Sequence, residues 1–311
     1  MDPFDYSLEP NPQQVTLVTQ WLALGGYRVI SPLPLRTAFS DAQPPEKLIT
    51  VAILDTETTG TNPACDRIIE LGMVLVELCP ETGQAFRILR VFNELEDPGM
   101  PIPEESTRVH HITDDMVSGK RISEADVESL LSGVSLVIAH NAGFDRVFVE
   151  QRFPIFATKA WACSWAQIPW TDHGVGSAKL EFLAYFYGFH FTGHRASNDC
   201  LALLEVLQQP LPLSGAMAMQ ALLQNARISD IKVSALDSPF DSKDALKERA
   251  YRWNADRKVW AKSVPKPSLD DEVAWLRNFV YRGKNFRLEL EKMNAMNRFS
   301  DRSGQIMVVD Y

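Results

Sequence analysis

The order of hydrophobic patterns after Leu48 is the feature that most restricts the fold of this 311-residue chain. Three strand-like segments follow one another with short turns between them: LITVAILDTETTG, DRIIELGMVLVEL and QAFRILRVFNEL. The period then lengthens, and the helical patterns SEADVESLLSG, NAGFDRVFVEQRF, KLEFLAYFYG and RASNDCLALLEVLQQ surround one short apolar strand, SLVIAH. Consecutive strands joined by turns pair antiparallel, whereas strands alternating with helices pair in parallel. The pattern predicts an α/β fold whose mixed sheet starts with three antiparallel strands, continues in parallel and is flanked by helices.

The segments on either side of this region predict three parts. Residues 1–48 hold one helical pattern, Pro12 to Leu24, followed by a short strand at 27–30, and are interpreted as an N-terminal helical arm. Residues 49–209 contain the mixed sheet, and QQPLPLSG (208–215) is the predicted hinge. Residues 216–311 predict a small α+β C-terminal domain, with helices at 217–227, 242–251 and 269–281, strands at 231–236 and 258–264, and the strand-like FRLELEKM before a polar tail.

Composition limits the classes of function. Hydrophobic residues form 45% of the chain and charged residues 23%, which is typical of a globular protein with its own core. We see no signal-peptide pattern, no apolar run long enough for a membrane span, and no C-x-x-C pair among the four cysteines. We therefore expect a cytoplasmic protein with reduced thiols and no membrane partner.

The net charge of −9 is unevenly distributed along the chain. Residues 1–215 carry 14 basic and 27 acidic side chains, whereas residues 216–311 carry 17 and 13. The net charge of the first part cannot attract a polyanionic substrate. Cations at the site would have to do so, with the C-terminal part as an electrostatic aid.

Two carboxylates stand at the end of the first strand of the predicted sheet. Asp55 and Glu57 follow the apolar run 51–54, and residues two apart on a strand point to the same side. Two adjacent anions repel each other unless a cation lies between them. A single D-x-E pair is also common on solvated strand ends, so this pair gains meaning only from further acids.

Two more acids occupy core-facing sides of predicted helices. Asp199 precedes Leu203 by one helical turn, and Asp145 precedes Val149 by the same spacing. A carboxylate in such a place is costly unless it is paired or metal-bound, although the helix dipole also favours an anion in the first turn. His194 lies five residues before Asp199 and, taken alone, would be interpreted as a surface histidine. A site made only of carboxylates selects Mg²⁺ or Mn²⁺ over zinc.

Three ordered motifs, DTETTG (55–60), HNAGFD (140–145) and H-x4-D (194–199), resemble the DEDDh branch of the DEDD 3′–5′ exonucleases, the DnaQ-like and RNase T-like group that includes proofreading epsilon subunits. The segment VHHITDDMV (109–117) resembles the stretch between the first two motifs of that family. The resemblance covers roughly residues 50–208. It implies an RNase H-like fold and a hydrolase that removes nucleotides from single-stranded 3′ ends, with DNA favoured over RNA.

The resemblance also implies roles for five residues. Asp55 would bridge two Mg²⁺ or Mn²⁺ ions, and Glu57 would bind one of them and approach the terminal 3′-hydroxyl. Asp199 would complete the shell of the first ion, and Asp145 would hold the second through water. His194 would be the general base, since histidine ordinarily titrates near neutral pH. In such a site, two ions about 4 Å apart clamp the scissile phosphate.

Substrate contacts are predicted around these motifs. The turn Thr58-Thr59-Gly60 can offer backbone donors and a close approach to the 3′-hydroxyl. Further predicted contacts, by wedging or stacking on the terminal bases or by positioning, are His111, Ile112, Phe144 and Asn141. For Phe144, core packing is an equal alternative. We interpret His140 and Asn141 mainly as residues that cap the helix and position Asp145.

The C-terminal part interleaves aromatic and basic residues, as single-strand-binding surfaces do. Arg252, Trp253, Lys258 and Trp260 are its predicted nucleic-acid contacts, and the segment 238–264 loosely resembles small modules attached to nucleic-acid enzymes. The alternative is that the tryptophans form the core of a small domain and the charges its solvated face. For the whole chain, the alternative to an enzyme is a non-catalytic docking subunit that uses an exonuclease fold to bind a partner.

Overall fold

The computed structural model describes residues 12–311. Helix α1, Pro12–Leu24, is present as predicted, and the first eleven residues of the predicted arm lie outside the described residues. Across the described part of the chain, no helix is both long and apolar enough to cross a membrane.

A short parallel pairing attaches the segment after α1 to the main unit. Strand β1 (Ser31–Pro32) pairs with β7 (Phe189–His190), so the strand predicted at 27–30 lies a few residues too early. Arg36 adds a 2.7 Å ion pair with the buried Glu205. The segment is therefore held against the main unit at two points, β1 and Arg36.

The first sheet has five strands in the order β4-β3-β2-β5-β6. The pairs β2–β3 and β3–β4 are antiparallel, whereas β2–β5 and β5–β6 are parallel. The predicted mixed sheet is therefore confirmed. Its strands are β2 Ile49–Thr58, β3 Ile68–Leu78, β4 Ala85–Leu95, β5 Val134–Ala139 and β6 Trp161–Cys163.

Helices cover both faces of this sheet. Because side chains alternate along a strand, Val51 and Ile53 face one apolar core while Ala52 and Leu54 face another. Helices α7, α8 and α9 contribute to the first core and α5 to the second. The helices of this unit are α2 Glu104–His110, α3 Asp114–Val117, α4 Glu124–Leu131, α5 Ala142–Arg152, α6 Ser164–Gln167, α7 Leu180–Tyr187, α8 Ala196–Leu207 and α9 Ala218–Arg227.

Helix α9 packs with the first sheet although the sequence places it after the predicted hinge. Its residues Met219, Leu222 and Leu223 belong to the same apolar core as Val51 and Ile53. Its hydrophobic stripe therefore stabilises the main unit, and the boundary at 216 stays a prediction about folding units.

The C-terminal part forms a second, wholly antiparallel sheet in the order β12-β11-β8-β10-β9. Helix α10 (Lys243–Glu248) and helix α11 (Leu269–Trp275), which continues as a π-helical turn, pack on it around a separate core. This arrangement confirms the predicted small α+β unit. Its strands are β8 Asp230–Ala235, β9 Arg252–Asn254, β10 Val259–Pro265, β11 Arg287–Met293 and β12 Gln305–Asp310.

The last strand, β12, corrects the prediction of a polar tail. Ile306, Met307 and Val308 are all about half exposed, so the segment lacks the alternation of a half-buried strand. Among the strands of residues 12–311, it pairs with β11 alone, at the edge of the sheet. Backbone hydrogen bonds to β11 hold it in this conformation, and its apolar run, residues 306–309, is the sequence signal that the polar-tail prediction overlooked.

The connection between β11 and β12 holds the two sheets together. The main-chain N–H of Trp161 in β6 donates to the carbonyl of Ala295 at 2.7 Å. Arg146, which is fully buried, donates to the carbonyls of Met296 and Arg298, each at 2.6 Å. The C-terminal sheet is thus bound directly to helix α5.

Candidate active site

The carboxylates of β2 lie under helix α8. Asp55 and Glu57 continue the alternation of Val51 and Ile53 and so point to the face of the sheet that α8 covers. Both side chains are half-buried. The predicted side-by-side projection from the end of the strand is what the structure shows.

A close approach of α8 to β3 brings Asp199 to this pair. Gly72 is the strand partner of Asp55, and a Cβ atom on Gly72 would lie 2.5 Å from the carbonyl carbon of Ala196. Only glycine leaves room for the beginning of α8 there. As a result, one ligand oxygen from each of Asp55, Glu57 and Asp199 lies within 4.8 Å of the others.

Glu70 fixes the beginning of α8. This buried carboxylate accepts hydrogen bonds from Arg195 Nη2 at 2.8 Å, from the main-chain N–H of Ala196 at 3.0 Å and from Asn93 Nδ2 at 2.8 Å. Although burial opposes ionisation, the hydrogen bonds from Arg195 and Asn93 lower the pKa of Glu70. The ionised Glu70 therefore serves as an anchor for the helix that carries Asp199.

Asp145 approaches from the opposite face of the sheet. It lies in the first turn of α5, is 2% exposed, and accepts hydrogen bonds at Oδ1 from the Thr56 hydroxyl at 2.8 Å and the Thr56 N–H at 3.1 Å. It lines the same cavity as Asp55 and Glu57 but is not a member of the three-carboxylate group found among residues 12–311. The four predicted acids therefore meet at the end of β2, three of them in one cluster.

The acids disfavour one another's ionisation. Burial, and then the charges of Asp145 and Asp199, raise the pKa of Asp55 well above its ordinary value. Burial and the Asp199 charge raise the pKa of Glu57 to about 8, and burial raises the pKa values of Asp145 and Asp199 to about 7. Such a cluster is unfavourable when fully ionised, and a divalent cation among the oxygens removes the repulsion. The donor set, all carboxylate oxygen, fits Mg²⁺ or Mn²⁺.

His194 stands at the mouth of the cavity. It has a left-handed backbone (φ 60°), its side chain is 51% exposed, and its Nε2 lies 3.8 Å from Glu181 Oε1. The next residue, Arg195, donates its N–H to Asp199 Oδ2 at 3.1 Å. His194 is therefore tied through the backbone to the carboxylate cluster while its ring faces the open side.

Comparison with known proteins assigns the chain to a family. The model of the RNase_T family, described as an exonuclease, matches residues 52–207, half of the chain.

The chain belongs to the RNase_T exonuclease family.

Its relatives include replication proteins. The DNA polymerase III subunit epsilon of Treponema pallidum is 33% identical over 162 residues, which cover 49% of this chain and 72% of that protein. The DNA polymerase III PolC-type of Thermotoga maritima is 24% identical over 238 residues, covering 73% of this chain but only 16% of that protein. The match to PolC thus concerns one part of a much longer chain.

Solved exonuclease structures also resemble the chain. Exonuclease X in complex with 5′ overhanging duplex DNA matches with a TM-score of 0.42 and 25% identity, covering 56% of this chain and 99% of that one. E. coli exonuclease I in complex with a dA16 oligonucleotide matches with a TM-score of 0.47 and 15% identity, covering 70% of this chain and 63% of that one.

The predicted substrate turn of this exonuclease-family chain is used largely for its own structure. Thr58 Oγ1 donates to the Gly60 carbonyl at 2.6 Å, and Thr59 Oγ1 donates to Asp66 Oδ1 at 3.0 Å. The N–H of Thr59, one of the backbone donors of this turn, donates to the Arg67 carbonyl at 2.9 Å and is therefore engaged within the protein. A Cβ on Gly60 would lie 2.5 Å from Asp66 Oδ2, so glycine is needed there for packing inside the turn.

The predicted stacking residues have different environments. Ile112 is completely buried with Ile69, Ile102 and Val117, so it has no surface for a base and its prediction is wrong. His111 is exposed and ends α2. Phe144 does line the cavity, although its ring also packs 5.0 Å from Phe148.

His140 and Asn141 do not cap α5 with their side chains. Asn141 stands at the cap position with φ 72° but makes no side-chain capping hydrogen bond. His140 instead makes hydrogen bonds to the Ser164 hydroxyl and the Ala178 carbonyl, each at 2.8 Å. Burial lowers the pKa of His140 to about 4, so the ring is neutral and builds the wall of the cavity.

Three wall residues were missed from the sequence. Trp165, Lys179 and Glu181 line the cavity beside the carboxylates. Trp165 packs its ring 5.5 Å from His140 and is 47% exposed. Its neighbours in sequence show no motif, so only the fold reveals that this exposed aromatic and two charged side chains, Lys179 and Glu181, border the acids.

Proposed function

We propose that this chain is a metal-dependent 3′–5′ exonuclease of the DEDDh type that hydrolyses phosphodiester bonds at the 3′ end of DNA. The observation that supports the proposal best is the group of three carboxylates, Asp55, Glu57 and Asp199, with Asp145 at the same strand end. Membership of the exonuclease family supports the reaction class. The name of the Treponema pallidum relative, a DNA polymerase subunit, supports DNA over RNA.

The carboxylates would hold two Mg²⁺ or Mn²⁺ ions. Asp55, Glu57 and Asp199 would bind the first, while Asp145, held by Thr56, would hold the second together with Asp55. When bound, such ions lower the pKa of a water molecule and neutralise charge at the scissile phosphate. The protein contributes four carboxylates as oxygen donors. Their positions are fixed because they are buried on β2, α5 and α8.

His194 is proposed as the general base. Its exposed ring borders the cavity, where Nε2 can accept a proton from the attacking water. Glu181 Oε1 lies 3.8 Å from the same nitrogen and borders the cavity beside it. The exposed Trp165 and the half-buried Phe144 supply apolar surface beside the acids, on which the terminal base can stack.

The experiment uses one single-stranded DNA oligonucleotide labelled at either end. With Mg²⁺ present, 5′-labelled DNA should give a ladder of shortened products, whereas 3′-labelled DNA should release labelled mononucleotide at once. EDTA or Asp55→Asn should stop both. Immediate release of mononucleotide from the 5′ label would reverse the proposed direction.

A matched RNA oligonucleotide tests the substrate class in the same assay. Faster shortening of the DNA is the expected result. Equal or faster shortening of the RNA would contradict the preference for DNA. If neither strand is shortened with Mg²⁺ or Mn²⁺, the exonuclease proposal fails and the docking-subunit interpretation takes its place.

A further inference from the structure

We propose that the C-terminal sheet carries a second binding site, a groove for single-stranded nucleic acid outside the carboxylate site. The groove lies between α10 and the edge strand β9 and has a volume of about 460 Å³. This proposal rests on the proposed function for its choice of ligand. Three aromatic and three basic side chains form its walls: Phe240, Trp253, Trp260, Lys243, Lys247 and Lys258.

The aromatic side chains divide into core and surface. Trp253 and Trp260 are direct partners across the β9–β10 pair, and their ring centroids are 5.5 Å apart. Trp260 packs against the core of the C-terminal unit, which accounts for one tryptophan by packing. Trp253 is 50% exposed and Phe240 78% exposed. Lys243 Nζ lies over the Phe240 ring, 4.5 Å from its centroid, so bases can stack on Trp253 and on the other face of Phe240.

The basic side chains give the groove a positive charge. Lys243 and Lys247 are one turn apart on α10 and so lie on the same side of it. Within residues 12–311, no salt bridge engages these two lysines or Lys258. The acid among the lining residues, Asp237, pairs with Arg287 at 3.0 Å and leaves the lysines uncompensated.

The ligand must therefore be anionic and must carry flat apolar groups. A single strand of DNA or RNA presents both, with phosphates for the lysines and unpaired bases for Trp253 and Phe240. An acidic peptide would satisfy the lysines but would leave half-exposed aromatic rings without stacking partners. The combination favours the nucleic acid.

The groove lies far from the contact between the two sheets. Strand β8 starts at Asp230, which is paired at 2.7 Å with Arg298 of the segment that holds α5, and ends at Ala235 just before the groove. Six strand residues span about 20 Å. The groove would thus bind a part of the single-stranded nucleic acid that the active site does not hold.

The test measures binding of a fluorescent oligothymidylate, about 20 nucleotides long to exceed a single site, to the full chain. An Asp55→Asn background prevents hydrolysis. The double change Trp253→Ala and Lys258→Ala should weaken binding by about tenfold or more. The matched control is Phe279→Ala with Lys284→Ala, since Phe279 is 62% exposed in the same unit but does not line the groove. Equal affinities for the groove variant and the control would overturn the proposal.

Salt dependence gives a second readout, because it reports the number of phosphate contacts. Replacement of all three groove lysines by alanine should reduce the slope of log affinity against log salt by about 2, because each phosphate contact of a single strand contributes about 0.7. An unchanged slope contradicts the proposal. Displacement of the oligonucleotide by polyglutamate as readily as by unlabelled oligothymidylate would also contradict it, because the groove would then be a general anion site.

A small substrate separates this proposal from the proposed function. The p-nitrophenyl ester of thymidine 5′-monophosphate can occupy the active site but not the groove. For this assay the groove substitutions are made with Asp55 intact, and that variant should hydrolyse the ester at the rate of the native protein. If the protein without groove substitutions fails to hydrolyse the ester, the exonuclease proposal is wrong. The oligothymidylate binding assay still tests the groove independently.

Discussion

Arg146 Nη1 donates a 2.6 Å hydrogen bond to the main-chain carbonyl of Arg298, and so connects the helix that carries Asp145 to the C-terminal sheet. The guanidinium is fully buried and also pairs with Glu150 at 2.6 Å. The residue next to a predicted catalytic acid thus depends on a segment about 150 positions away. The C-terminal unit is part of what holds the active site in place.

The first prediction concerns this contact. Arg146→Ala leaves the Arg298 carbonyl without its donor and removes one of the two arginines that pair with Glu150, and it should lower the free energy of unfolding by about 3–5 kcal/mol. Urea denaturation measures the change. Arg108→Ala is the control: its ion pair with Glu104 is exposed, and its loss should cost less than about 1 kcal/mol. Equal effects of the two changes would show that the connection is not structural.

The second prediction concerns Gly72. Gly72→Ala places a methyl group 2.5 Å from the backbone of Ala196, so α8 must move away from β3 and take Asp199 with it. We expect a loss of about 1–3 kcal/mol in the free energy of unfolding, together with weaker binding of Mn²⁺. Gly133→Ala is matched, because a methyl group there meets nothing within 4 Å. A urea melt measures the change in stability, and a separate calorimetric titration of the folded protein with Mn²⁺ measures the metal affinity. An unaltered metal affinity would contradict the positioning of Asp199 by this contact.

The third prediction is that the metal-free protein becomes less stable as pH rises from about 5 to 8. In the folded chain, burial raises the pKa of Glu57 to about 8 and the pKa values of Asp145 and Asp199 to about 7, all above their ordinary values. At a pH between the pKa of the unfolded state and the raised pKa of the folded state, the folded state binds more protons than the unfolded state. Raising the pH through this interval therefore favours unfolding. Thermal melts in EDTA measure the trend.

Asp199→Asn provides the control for that trend. It removes one of the repelling charges, so its melting temperature in EDTA should fall less between pH 5 and 8. Added Mg²⁺ should raise the melting temperature of the native protein more at pH 8 than at pH 5, since the ion replaces protons. A stability in EDTA that rises over this interval would contradict the electrostatic description of the cluster.

The fourth prediction separates the proposed base from the metal ligands. His194 lies at the rim and not among the clustered oxygens, so His194→Ala should keep Mn²⁺ binding and lose about 10²–10⁴-fold in turnover. Calorimetry and single-turnover hydrolysis of a DNA oligonucleotide test the two parts. Loss of metal binding in His194→Ala would make the assignment of the base wrong.

The sequence could reveal the acids because local periodicity determines where they point. Strand alternation places Asp55 and Glu57 together, and helical spacing turns Asp145 and Asp199 towards the core. The mixed sheet followed for the same reason, since the patterns of β2 to β5 are regular.

The sequence could not reveal contacts made between distant segments. The hydrogen bond from Arg195 to Glu70 joins residues that are 125 positions apart in the sequence. Ile112 was predicted as a substrate contact because it lies in a motif, yet its burial depends on Ile69 and Ile102 from other segments. Trp165 and Glu181 reach the cavity through the packing of their segments, which leaves no periodic signal.

The central claim is that Asp55, Glu57, Asp145 and Asp199 together hold divalent ions. Anomalous diffraction from crystals soaked in Mn²⁺ tests it most directly. The account predicts two manganese peaks at the end of β2, one within ligand distance of Asp55, Glu57 and Asp199, and the other between Asp55 and Asp145. A manganese-soaked crystal with no peak at these carboxylates, in protein that is active under the same conditions, would contradict it.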